Sequence, residues 1–308
     1  METILVSANG LDFEVDQDGT GQKFALMLHG FPESKYSWRA QIPVFAARGY
    51  TVWAPNLRGY GNTTRPLGRA EYTLDKLCAD VAGLIDAARA RGISGPVTLV
   101  AHDWGGAIAW AFALRRLRPL ERFVILNMPH PTLFFKALRT FRQFRRSWYM
   151  FFFQLPWLPE LVLGARGAKA VGDAFRDMAV DKSRFPDAVL AEYRRNALKP
   201  GALTAMVNYY RANIRLRPPG AIPVPKLEIP TLMIWGEADT ALGKETTFGT
   251  QELVPKLTLR YLPNVSHWVQ QEAPETVNAM IAAWLDGKEV PEAGDLVHSG
   301  EAAAAAGA

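Results

Sequence analysis

At 308 residues the chain is long enough for one large domain or two of ordinary size. It is 49% hydrophobic and 21% charged, which excludes a mostly disordered chain, and its one cysteine, Cys78, excludes an internal disulfide and a cysteine-rich metal site. The net charge of +5 raises the question of nucleic acid, but no binding motif for it accompanies the excess.

The first residues, METILVSANGLDFEV, lack a basic start followed by an apolar stretch, so no secretory signal is read there. No run of about 20 apolar residues occurs, so no membrane span is expected. With a single cysteine, the cytoplasm is the expected compartment. Thr3–Ser7 and Leu11–Val15 read as two strands joined by Asn9-Gly10, a strong hairpin turn. Strand-like runs follow at Phe24–Leu28, Tyr50–Ala54, Val97–Val100 and Phe123–Leu126, with helical patterns at Tyr72–Arg91 and Trp104–Leu117. Further on come strands at Thr231–Trp235 and Leu257–Leu262, then a helix at Pro274–Leu285. Strands alternating with helices predict an α/β fold with a mostly parallel sheet.

The stretch between Asn127 and Thr231 is far longer than a βαβ crossover needs. It is helix-like and aromatic-rich, and it ends in RPPGAIPVPKLEIP. We read residues 132–220 as a helical cap inserted over the strand ends, with 1–131 and 221–290 as the core. Residues 291–308, closing in EAAAAAGA, read as a low-complexity tail, with fraying from about Gly287. Within the cap, Arg139, Arg142, Arg145 and Arg146 interleave with Phe141, Phe144 and Trp148. That spacing predicts an amphipathic helix whose arginine face is solvated, with a membrane or anionic-partner surface as the sharper alternative.

Ala101-His102-Asp103-Trp104-Gly105-Gly106 follows a strand and opens a helix. This is the small–x–nucleophile–x–Gly pattern of a nucleophile elbow, with aspartate where serine is usual. An aspartate there could be only a helix cap, but the Trp-Gly-Gly that follows favours a nucleophile. His29-Gly30-Phe31-Pro32 also follows a strand, so the backbone amides of Phe31 and Trp104 could form an oxyanion hole. Of five histidines, His29 and His102 belong to these motifs, His130 lies between prolines and His298 lies in the tail. His267, in Asn264-Val265-Ser266-His267-Trp268 after the last strand, remains as the base. Its carboxylate partner lies in Gly236-Glu237-Ala238-Asp239, where Asp239 is favoured over Glu237 because it lies further beyond the strand end. The alternative acid position after Phe123–Leu126 holds Asn127, which cannot ionise.

Together HGFP, HDWGG, GEAD and NVSHW resemble the α/β-hydrolase-fold epoxide hydrolases over nearly the whole core. The resemblance implies an eight-stranded, mostly parallel sheet flanked by helices, with a helical cap. It also implies two cap tyrosines. The segment YMFFFQLP resembles the first motif and places one at Tyr149, while NYYR resembles the second and places the other at Tyr210, with Tyr209 as a neighbouring alternative. Trp104, Phe152 and Trp268 are the candidate pocket side chains, and Trp148, Phe151–Phe153 and Trp157 point to an apolar substrate. The sequence departs from its relatives at Asn56, where aspartate is common, in a loop read as scaffolding.

An aspartate is already an anion at neutral pH, with a usual pKa of about 3.9. Attack on an acyl group would give a mixed anhydride, whereas attack on a saturated carbon gives an ordinary ester. Epoxides or halides are therefore the expected substrates, with His267 activating water against the ester. The closest alternative is a haloalkane dehalogenase, which often uses the tryptophan after the nucleophile. Fluoroacetate dehalogenases place arginine there instead. A silent ligand receptor on the same fold would lack a triad member, and none is missing. The resemblance implies no cofactor or metal. The expected partners are a small apolar epoxide and water.

Overall fold

The computed structural model describes residues 1–214 and 226–296. Its strands are β1 (Glu2–Ala8), β2 (Leu11–Asp18), β3 (Lys23–Leu28), β4 (Tyr50–Pro55), β5 (Val97–His102), β6 (Arg122–Leu126), β7 (Thr231–Gly236) and β8 (Leu257–Leu262). They form one eight-stranded sheet in the order β1-β2-β4-β3-β5-β6-β7-β8. The β1–β2 and β2–β4 pairings are antiparallel and all the others are parallel. Asn9 and Gly10, at φ 49° and 74°, make the turn between β1 and β2, the conformation that an Asn-Gly hairpin favours.

Around the sheet lie α1 (Ile42–Ala46), α2 (Leu74–Ala90) and α3 (Asp103–Leu114). Between β6 and β7 come α4 (Pro131–Ala137), α5 (Phe141–Arg146), α6 (Trp148–Phe152), α7 (Leu158–Met178), α8 (Asp187–Ala197) and α9 (Ala202–Asn213). The chain closes through α10 (Thr250–Leu253), α11 (Val269–Glu272) and α12 (Pro274–Leu285).

The central strands β3 and β5 are buried nearly end to end, as continuous apolar runs in a parallel sheet should be. Alternate side chains serve opposite faces: Leu26 and Leu28 join a core with α2 and α3, while Ala25 and Met27 join one with α1 and α12. In α2 the buried residues Leu77, Val81, Leu84, Ile85 and Ala88 recur at helical spacing and form its inward stripe.

Three expectations change. The predicted Arg139–Trp148 amphipathic helix is two short helices, α5 and α6, divided at Ser147. Phe141, Phe144 and Trp148 are solvent-exposed rather than inward-facing, because six residues of α5 are too few to bury a full stripe. The chain beyond Gly287 is also docked rather than frayed as far as Leu296. Val290 is buried, Ala293 and Leu296 pack on the α12-side core, and the Arg260 guanidinium donates to the carbonyls of Val290 and Pro291. Residues 297–308, with His298, lie outside the described residues, as do residues 215–225, where the expected boundary between cap and core falls.

Candidate active site

The sharp turn from β5 into α3 determines the site. Asp103 adopts φ 46°, a left-handed conformation uncommon for residues other than glycine, although aspartate is among those that tolerate it best. The turn closes only because two neighbours lack a side chain. A Cβ on Gly30 would lie 2.4 Å from the Cβ of Asp103, and one on Gly105 would lie 2.2 Å from the carbonyl oxygen of Leu28. The Asp103 carboxylate is not used as a helix cap. Its Oδ1 accepts the Phe31 amide hydrogen at 2.8 Å, and its Oδ2 lies 3.4 Å from His267 Nε2. The Trp104 amide is in the first turn of α3, where backbone N–H groups have no partner within the helix.

His267, on the loop between β8 and α11, turns its Nδ1 to Asp239 Oδ2 at 2.6 Å. Asp239 is held on all sides. Its Oδ1 accepts from the amides of Ala241 and Leu242, and its Oδ2 also accepts from Asn127 Nδ2 at 2.8 Å. Asn127, at the alternative acid position, thus braces the Asp239 carboxylate. Glu237 instead pairs with Lys244 and does not reach His267.

The charges reinforce one another. Burial opposes an imidazolium at His267, but Asp239 and Asp103 overcome it and raise the pKa to about 10. Burial likewise opposes the Asp103 charge, and the hydrogen bond and charge of His267, with His102 and the Phe31 amide, hold it below the usual carboxylate range. At rest the pair is a carboxylate facing an imidazolium.

The insertion supplies the other wall. Tyr149 comes from α6 and Tyr210 from α9, with ring centroids 5.9 Å apart. The Tyr210 ring packs edge-on against Phe31 at 5.2 Å and Trp104 at 5.0 Å, the two residues whose backbones flank Asp103. Burial, with the negative charges of Asp103 and Asp239, pushes the Tyr149 hydroxyl far above its ordinary pKa. Burial and Asp103 do the same to Tyr210, while a hydrogen bond from the Trp104 side chain works in the opposite direction. Both tyrosines stay protonated beside an anion. Tyr209 does not share the site, because its hydroxyl donates to the Arg58 carbonyl at 2.8 Å.

Two pocket expectations fail. Phe152 packs on Trp148 and Phe153, and it is Phe153 that meets Phe31 and Tyr210, at 5.3 and 4.8 Å. Trp268 lies behind the site, its ring between His267 and Phe175 of the insertion. Trp148 and Trp157 face solvent, so they cannot line a pocket around the substrate. His29 and His130 have structural partners: His29 Nε2 accepts from the Leu57 amide and His130 Nδ1 from that of Thr132.

Sequence reasoning missed one buried network altogether. Glu33, directly after HGFP, is fully buried and accepts from the Gly30 amide, Gln270 and Gln271, and its Oε2 meets His102 Nδ1. His102 Nε2 donates to the carbonyl oxygen of His267 at 2.9 Å. The residue before Asp103 thereby holds the main chain at His267. A fixed spacing from Gly30 was the only local signal in the sequence, because the other partners of Glu33 lie 69 to 238 residues away.

Residues 26–274 match a family described as alpha/beta hydrolase fold. The chain is 35% identical to human epoxide hydrolase 4 over 289 residues, covering 92% of this chain and 78% of that protein. It is 30% identical to an epoxide hydrolase of Caballeronia sordidicola, over 91% of this chain and 92% of the other. The crystal structure of a Bacillus megaterium epoxide hydrolase in complex with an inhibitor superposes with a TM-score of 0.83 at 29% identity, covering 92% of this chain and all of that one.

Proposed function

We propose how this chain, which belongs to the α/β-hydrolase-fold epoxide hydrolase family and is a hydrolase acting on epoxides, carries out its reaction. A carboxylate oxygen of Asp103 attacks one ring carbon of the epoxide, the carbon–oxygen bond there breaks, and an alkyl ester forms on the enzyme. The departing oxygen is nearly as basic as hydroxide, the conjugate base of water (pKa about 15.7), so it needs a proton or strong hydrogen bonds as it leaves. Tyr149 and Tyr210 supply these from the insertion's wall. The observation that carries the reading is geometric: Asp103 Oδ1 accepts the Phe31 amide, its Oδ2 lies 3.4 Å from His267 Nε2, and the Tyr210 ring, beside that of Tyr149, packs on Phe31 and Trp104.

The charges balance through the cycle. Ester formation removes the negative charge of Asp103 and with it part of the field that keeps His267 protonated. The proton consumed by the opened ring is matched by the one His267 gives up. Neutral His267, oriented by Asp239, then takes a proton from water as the water attacks the ester carbonyl. The Phe31 amide that holds Asp103 Oδ1 at rest, with that of Trp104, stabilises the oxyanion. Collapse expels the second alkoxide, which takes the proton back from His267 and leaves as the diol. The Asp103 acid then returns its own proton to His267.

The reading supports an apolar epoxide, because Phe31, Phe153 and Trp104 surround the tyrosines. The direct test is a single turnover in ¹⁸O-labelled water with enzyme in excess over styrene oxide. The first diol released should carry unlabelled oxygen, and the label should enter Asp103. Label in the diol from the first turnover would mean direct attack by water. Asp103→Ala should remove turnover by about 10⁴-fold or more while the far-UV circular dichroism spectrum stays unchanged.

A further inference from the structure

Ten of the fourteen large hydrophobic side chains exposed among the described residues lie between residues 135 and 198, on the insertion. The densest group falls on α5 and the start of α6: Phe141 is 81% exposed, Phe144 49% and Trp148 63%. Three apolar rings left in water within eight residues are costly unless something covers them. Their surroundings indicate the chemistry of the cover. From residue 123 to 159 the sequence contains no aspartate or glutamate, yet it contains Lys136, Arg139, Arg142, Arg145 and Arg146. Arg142 and Arg146 reach Glu245 at 3.4 and 3.5 Å, whereas Lys136, Arg139 and Arg145 are exposed and have no ion pair among the described residues.

We propose that this face of the insertion, Phe141, Phe144 and Trp148 with Lys136, Arg139 and Arg145, docks on an anionic lipid bilayer. Rings with an apolar body suit the boundary between headgroups and acyl chains, and unpaired cations beside them meet the negative headgroups. No helix among the described residues is long and apolar enough to cross a membrane, so the contact is peripheral. The face also adjoins the site. Trp148 outside and Tyr149 inside are consecutive on α6, and ring contacts run from Trp148 to Phe152, Phe153 and Tyr210 at 6.0, 5.8 and 4.8 Å. An apolar epoxide dissolved in the bilayer is thereby concentrated beside the insertion that holds the tyrosines, an advantage that rests on the function proposed above. The docking itself does not.

The test is co-sedimentation of the full chain with vesicles of phosphatidylcholine alone and of phosphatidylcholine mixed with phosphatidylglycerol, at low and high salt. Wild type should pellet with the mixed vesicles and be released by salt. Lys136→Glu/Arg139→Glu/Arg145→Glu should weaken that binding by about a hundredfold or more. Phe141→Ser/Phe144→Ser/Trp148→Ser should weaken it by about tenfold or more. Both variants should hydrolyse a water-soluble epoxide at the wild-type rate, which also shows that they fold. Should the aromatic variant not fold, the charge variant decides alone. Wild type that ignores the mixed vesicles, or a charge variant that binds them as well as wild type does, overturns the proposal. A dimer that the aromatic substitutions dissociate, with no vesicle binding, would identify the face as a contact between two copies and also overturn it. Loss of epoxide turnover with intact vesicle binding would count against the proposed function and leave the docking surface standing.

Discussion

The two walls of the site are built by different means. On the core side, loops after β3, β5, β6, β7 and β8 place three charged groups, and hydrogen bonds pin each of them. Asp239 accepts four, Asp103 holds the Phe31 amide, and the main chain at His267 is tied through His102 to Glu33. On the insertion side, Tyr149 and Tyr210 are neutral and are positioned mainly by ring against ring. A buried charge is tolerated only inside a fully partnered polar frame, so the core side must be rigid. A neutral hydroxyl makes no such demand, and a separate packed element can carry it. The comparison teaches that the charged and neutral halves of the chemistry can be perturbed independently.

The largest expected effect comes from breaking the core side. His267→Gln should still be alkylated, because Asp103 needs no base to act, but the ester should persist. Intact mass spectrometry after mixing with epoxide should show protein heavier by one substrate, with turnover reduced by about 10³-fold or more. Lost activity without an adduct would mean that the ring cannot open without the proton His267 gives up, and would contradict the division of labour.

The insertion side should respond in a graded way. Tyr149→Phe or Tyr210→Phe removes one hydrogen bond to the developing alkoxide, at a cost of about 1–3 kcal/mol, or roughly ten- to a hundredfold in the alkylation rate. Losing both should cost far more than either alone, because a single remaining donor still serves the oxygen. Rapid-quench alkylation of the two single variants and the pair measures this, and thermal stability should hardly change. A double variant that alkylates at the wild-type rate would reduce both tyrosines to packing.

The smallest effect sharpens the electrostatic half of the comparison. The His267 pKa rises from 6.5 to about 10 on folding. The stability it contributes is therefore complete below about 6.5 and is lost as pH rises through about 10. The difference in melting temperature between wild type and His267→Gln should shrink by a few degrees across that interval. A constant difference would mean that His267 is not charged in the resting protein.

The same division explains what could be read from the sequence. Core strands are apolar runs ending in small-residue turns, so the sheet, the Asp103 elbow and the order of acid and histidine were visible in local patterns. The insertion was visible as a length of chain but not in its facing. Phe151, Phe152 and Phe153 are consecutive, and a run of one residue type has no periodicity to show that Phe153 turns inward. Trp148 and Trp157 misled because apolar character alone does not distinguish a pocket wall from a surface. The brace from Asn127 and the Glu33 network depend on partners far along the chain, which no local pattern marks.

The elbow also bears on how such proteins change trade over generations. The backbone at Asp103 is fixed by the absent side chains of Gly30 and Gly105 and by its left-handed φ, and the carboxylate takes no part in capping α3. The shape of the turn is thus set by its neighbours rather than by a cap from the side chain at 103. A change of the side chain at 103 can therefore alter what the site offers a substrate while the turn around it is kept.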